Sequence, residues 1–116
     1  MAGIMTPAGI TIRRGDSFDI LMNFKSGNKN FDLTECQIKM TVRDSDNKEI
    51  FSKDGEIISA ANGTARIKLT STETDYPPAN YKTDIQLTLK NGDVHTIYPQ
   101  NVNAVAYFKL TPEVTE

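Results

Sequence analysis

Three observations predict an all-β chain folded as an antiparallel β-sandwich of seven to nine strands. Apolar and polar residues alternate with a period of two over many short segments. Turn residues interrupt that alternation every ~8–12 positions, the spacing of sandwich and barrel proteins. No segment keeps a helical period over three turns.

Taken in order, the first alternating segment is 9–13, followed by Arg14-Gly15-Asp16, where Gly15 suits a tight turn because it tolerates positive φ. Segment 17–24 places Phe18, Ile20, Met22 and Phe24 on one face. Residues 26–30 are a polar loop. In 36–43 every second residue is apolar, with Cys36, Ile38, Met40 and Val42 inward. Asp46-Asn47 turns the chain between 36–43 and 48–52, and 56–60 follows. Asn62-Gly63 marks the next turn, leading into 64–69 with Ala65, Ile67 and Leu69 inward. Thr70-Ser71-Thr72-Glu73 has the spacing of a capping box and predicts one helical turn ended by Pro77-Pro78. Segment 82–89 turns Thr83, Ile85, Leu87 and Leu89 inward. Asn91-Gly92-Asp93 predicts a two-residue type I′ hairpin, in which both central residues take positive φ. Segments 94–98 and 102–110 complete the chain, and Gly15, Gly63 and Gly92 are the structural glycines.

The 116 residues fit one domain, 1–116, with residues 1–9 as a candidate N-terminal arm and 111–116 as a C-terminal tail. A chain of this size buries roughly two-thirds of its unfolded surface, enough for one core without disulfides or metal. Thirteen Lys and Arg stand against 15 Asp and Glu, a net charge of -2. That balance argues against a nucleic-acid binder, which needs a basic face to displace counterions. No apolar run approaches the length of a membrane span. The first residues lack a basic and then apolar leader, so cytoplasmic synthesis is expected. The lone Cys36 has no disulfide partner, and its inward position predicts a small core side chain.

Few residues suggest chemistry. Arg14-Gly15-Asp16 matches an integrin-recognition tripeptide but lies between two strands, where a turn is the plainer reading. Asp44–Glu49 is acidic, yet it lacks the glycine and distal glutamate of a calcium loop, and Lys48 lies within it. His95, the one histidine, has no accompanying nucleophile elbow and no second histidine to share a metal. Asn62-Gly63-Thr64 reads as a turn and not as a glycosylation site. No catalytic residue, cofactor or metal ligand is assigned, and the chain is expected not to be an enzyme.

A strand at 64–69, a short helical crossing and then Tyr81 opening a long strand resemble the E–F crossover of immunoglobulin-like domains. There a tyrosine hydroxyl bonds back to the crossing loop, and Tyr81 is the candidate for that corner. The resemblance extends further, through Arg13-Arg14-Gly15-Asp16-Ser17-Phe18-Asp19-Ile20, Phe31-Asp32-Leu33-Thr34 with Ile38 and Val42-Arg43, Leu69-Thr70 with Glu73-Thr74, Tyr81 with Asp84-Ile85, and Gly92-Asp93-Val94-His95-Thr96-Ile97. Over roughly residues 10–110 this pattern is similar to small tailed-phage and prophage virion proteins, including the N-terminal immunoglobulin-like domain of baseplate upper proteins. Departures are Glu35 and Asn80 where glycines are usual, with Asn80 able to take positive φ, and Thr83 before Asp84.

The resemblance implies a non-enzymatic virion structural protein of the tail or baseplate, made in the host cytoplasm. Its partners would be other virion structural proteins, with the chain itself a homo-oligomer in the virion and no nucleic acid or membrane involved. Capsid decoration or a head–tail connector is the alternative within that class. A carbohydrate-binding or adhesion domain is the alternative outside it, disfavoured by the lack of Trp. The termini, Met1–Ile10 and Lys109–Glu116, and the 26–30 loop are the expected contact regions, with Ile4, Met5 and Ile10 as candidate interface residues.

Overall fold

The computed structural model describes residues 4–6, 8–99 and 105–112. Each of the nine alternating segments contains a strand, and three short strands join them. In chain order they are β1 (Ile4–Thr6), β2 (Gly9–Arg13), β3 (Phe18–Asn23), β4 (Lys25–Ser26), β5 (Lys29–Asn30), β6 (Gln37–Arg43), β7 (Glu49–Asp54), β8 (Glu56–Ser59), β9 (Thr64–Leu69), β10 (Ala79–Thr88), β11 (Val94–Tyr98) and β12 (Ala106–Thr111). The expected arm supplies β1, and the polar loop at 26–30 closes into the two-rung hairpin β4–β5.

The fold is all-β, with two sheets contributing to one core. The larger runs β1-β2-β12-β10-β6-β7, with β11 also on β10, and the smaller runs β3-β9-β8. One side of β10 takes β6; its other side takes β12 along Ala79–Thr83 and β11 along Ile85–Thr88. Pairing is antiparallel throughout except between β2 and β12, which run parallel from Gly9↔Tyr107 to Arg13↔Thr111.

Burial follows the alternation. Ile38, Met40 and Val42 of β6, Ala65, Ile67 and Leu69 of β9, and Ala106, Phe108 and Leu110 of β12 all enter the core. Cys36 is buried beside them, as its phase predicts. Thr83 is the polar residue on the inward face of β10, and its hydroxyl donates to the Thr41 carbonyl at 2.8 Å, which removes the cost of burying it. Phe51 on β7 stacks on Tyr76 at 5.6 Å and meets Phe108 edge-on at 6.0 Å, joining the crossing loop to both β7 and β12.

The turns correct one expectation. The Asn91-Gly92 hairpin is not type I′, because only Gly92 has positive φ, at 94°. The Gly92 N–H reaches the Leu89 carbonyl at 2.9 Å, and Leu89 donates to Asp93 at 2.8 Å, so the loop is one residue longer. Asn91 stays out of the left-handed region because its side chain turns back instead: Oδ1 accepts from the Asp93 N–H at 2.9 Å. The Asp44–Lys48 turn closes in the same way, with Asn47 at φ 69° donating to the Asp44 carbonyl and Asp44 donating to Lys48, the three-residue pattern closed by a left-handed residue. Gly63, also at φ 69°, donates to Ala60 in a different loop, of four residues between Ser59 and Thr64. Glu35, at the position where the resemblance expects glycine, takes φ 60°, whereas Asn80 lies in extended β10.

The capping box forms as its spacing predicts. The Thr70 N–H donates to Glu73 Oε1 at 2.9 Å, and the Glu73 N–H reaches back to Thr70 Oγ1 at 3.3 Å. Lys53 Nζ adds a 2.8 Å ion pair to the same carboxylate. Burial opposes ionisation of Glu73, but the hydrogen bonds from Lys53 and Thr70 outweigh it and hold its carboxyl below the ordinary glutamate range.

Candidate docking surface

At one end of the sandwich the loops are fastened to one another. Asp16 donates its N–H to Arg13 at 3.0 Å, with Gly15 at φ 85°, the geometry of a type II turn. Arg14 Nε pairs with Asp75 Oδ1 at 2.9 Å. The Thr74 side chain is fully buried and donates from its hydroxyl to the Asp16 carbonyl at 2.8 Å. Tyr81 donates to the Pro77 carbonyl at 2.6 Å, and burial pushes its phenol above the ordinary tyrosine range. The Arg14-Gly15-Asp16 tripeptide is therefore a stapled turn with its arginine engaged, and not a mobile loop tip. Thr74 entered the sequence reading only as part of the pattern Leu69-Thr70 with Glu73-Thr74, and nothing in its spacing signals that its hydroxyl is buried against the Asp16 carbonyl.

The other sequence candidates fall separately. Asp44 Oδ1 accepts the backbone N–H groups of Asp46 and Lys48, each at 2.9 Å, so this acidic loop is organised by its own backbone. His95 is exposed on β11, opposite Leu87. Among the described residues, no three His, Cys, Asp or Glu side chains gather as a metal site would require.

The candidate interface residues divide three ways. Ile10 is only 1% exposed, because β2 presents Ile10 and Ile12 together to the core; it is corrected from a contact residue to a core residue. Ile4 is 65% exposed and borders an open groove of about 330 Å³ with Gly9, Thr11, Tyr107 and Lys109. Its neighbour Met5 faces the other way, into a groove of about 470 Å³ with Met22, Phe24, Ile97 and Tyr98. Strand alternation separates the two side chains. Tyr98 fastens β1 there, its hydroxyl donating to the Thr6 carbonyl at 2.6 Å. Of the expected terminal contact regions, residues 1–3, 7 and 113–116 lie outside the described residues.

Two further features carry docking potential. Lys39, Arg43, Lys82 and Lys109 alternate with the buried residues of their strands, giving the larger sheet a charged outer face of mixed sign, with Arg43 directly opposite Lys82 on one side and Glu49 on the other, and Asp54 opposite Lys39. Asp84 lies in that face, half-buried; burial disfavours its charge, Arg43 relieves part of that, and its carboxyl titrates above the ordinary aspartate range. The second feature is Leu21, 71% exposed at the middle of the outer face of β3. Its signal was present in the sequence as an apolar residue in the polar phase, between Asp19 and Asn23. No family model matches this chain, and no curated protein matches it in sequence.

Proposed function

We propose that this chain is a non-enzymatic virion structural protein of a tailed phage or prophage, working in the tail or baseplate by symmetric docking onto other virion proteins. The observation that carries the proposal is the strand order, β3-β9-β8 against β2-β12-β10-β6-β7 with a tyrosine hydroxyl bonded across the crossing loop. That order supports an immunoglobulin-like sandwich, the architecture that the resemblance implies. The φ of 60° at Glu35 adds support, since glycine is usual there in the proteins it resembles.

Such a domain acts through shape. Stapled loops and a single core hold the edges and outer faces in fixed relation, so that identical contacts repeat around a symmetry axis. Synthesis in the host cytoplasm followed by assembly into the particle suits a protein whose one thiol is buried. Deleting the coding sequence from a producing phage is expected to abolish infectious titre while leaving DNA replication intact. Unchanged titre would overturn the proposal.

A further inference from the structure

We propose that β3 is a self-association edge, joining two copies of this chain in an antiparallel β3–β3 ladder centred on Leu21. The inference stands on the sheet edge alone and does not depend on the virion reading. A free strand edge exposes unpaired backbone groups and invites pairing with another chain unless something blunts it. Among the described residues, every other edge of the two sheets is blunted. The strand β1 has three residues. The strands β7, β8 and β11 each carry one extra residue against their partner, respectively Ile50 between Val42 and Arg43, Ile58 between Ala65 and Thr64, and Ile97 between Ile85 and Gln86. Such bulges twist an edge away from straight pairing. By contrast β3 runs six residues in unbroken register with β9, from Phe18↔Leu69 to Asn23↔Thr64. It contains no proline, and nothing pairs with its second side among the described residues.

The backbone phase fixes the register. Phe24 donates its N–H to the Gly63 carbonyl at 2.8 Å, toward β9. Alternation then turns Phe18, Ile20 and Met22 to β9 as well, and leaves Asp19, Leu21 and Asn23 presenting their N–H and C=O groups to the open edge. A second copy placed antiparallel about Leu21 sets Leu21 opposite its own mate and Asp19 opposite Asn23 of the other copy. All three open residues pair, the exposed Leu21 side chains cover each other, and no like charges meet. Self-complementarity of this kind is what an isologous two-fold contact requires, and it selects a second copy over an unrelated strand. The two sheets would merge as β8-β9-β3 continued by its symmetry mate.

Paired cysteines test the register. Residues facing each other in a hydrogen-bonded antiparallel pair lie about 5.5 Å apart at Cα, inside the ~4.4–6.8 Å that a disulfide spans. Leu21→Cys is expected to convert to a disulfide-linked dimer under mild oxidation. Asp19→Cys is not, because it lies four residues from its mate, roughly 13 Å along the strand. The unsubstituted chain, with Cys36 buried, is the control. Leu21→Pro removes an N–H that faces the open edge, so it is expected to abolish the dimer seen by gel filtration and to leave the β9 ladder intact. If that variant unfolds, Leu21→Lys sets a cation against its symmetry mate and serves the same purpose. Equal cross-linking at 19 and 21, no cross-linking at 21, or a dimer that survives both Leu21 substitutions would overturn the proposal. None of these outcomes bears on whether the protein belongs to a virion.

Discussion

The Tyr81 hydroxyl donates to the carbonyl of Pro77 at 2.6 Å, closing the crossing loop against the start of β10. The bond is part-buried, so removing its donor leaves a carbonyl that water reaches poorly. Tyr81→Phe is expected to cost about 0.5–1.5 kcal/mol, the usual net worth of one such bond, measured by urea unfolding. An unchanged midpoint would mean that the ring's packing, and not its hydroxyl, fastens the loop.

Gly63 and Gly92 both take positive φ, yet only one is crowded. A Cβ at Gly63 would lie 2.6 Å from the Phe24 carbonyl oxygen and 2.7 Å from that of Phe31, whereas at Gly92 nothing lies within 4 Å. Gly92→Ala should therefore cost only the backbone strain, about 1–2 kcal/mol. Gly63→Ala should cost more, because two backbone segments must also move. Thermal unfolding of the pair compares them directly, and equal losses would show that crowding contributes nothing.

Glu73 links stability to acid pH. Its folded pKa lies below the unfolded 4.5, so its contribution is fully present above that value and is lost as pH falls through the lower folded pKa. Glu73→Gln is expected to destabilise by about 1 kcal/mol at pH 7, discounted for an ion pair that water partly screens. Near pH 2 the variant and the natural chain should unfold alike. The same deficit at both pH values would show that the loss is one of packing.

Asp84 has the opposite sign. Its folded pKa lies above the unfolded 3.8, so the protonated form suits the fold, and stability from this group declines as pH rises through the raised value. Asp84→Asn should stabilise the protein at pH 7 by up to about 0.5 kcal/mol and have little effect below pH 3.8. A loss at pH 7 would mean that attraction to Arg43 outweighs burial.

The strands were legible because burial on one face imposes a period of two, and the inward residues of β6, β9 and β10 fell where that period put them. What the period cannot show is a bulge. Ile50, Ile58 and Ile97 read as ordinary strand isoleucines, and each is the extra residue that breaks register on an edge. The bulge at Ile97 also shifts β11, so that His95 pairs with Leu87 and Tyr98 with Ile85, although strict alternation would put His95 and Tyr98 on opposite faces. Asn91-Gly92 misled because the dipeptide satisfies two turn geometries, and which one forms depends on how the strands meet. Ile10 stood among the candidate interface residues as the end of the Met1–Ile10 contact region, but with Ile12 it continues the period of β2 into the core. The docking candidates were the least legible, since an open edge is a property of which strands are neighbours. Leu21 becomes notable only once β3 is seen to end its sheet.

The most direct measurement is quantitative mass spectrometry of purified, density-banded phage particles from a strain that encodes this chain. A virion component should yield peptides of this chain in a fixed ratio to a tail or baseplate protein of known copy number. A ratio fixed to the major capsid protein instead would move it to the head. Particles that are infectious and free of the chain would contradict a structural role in the virion.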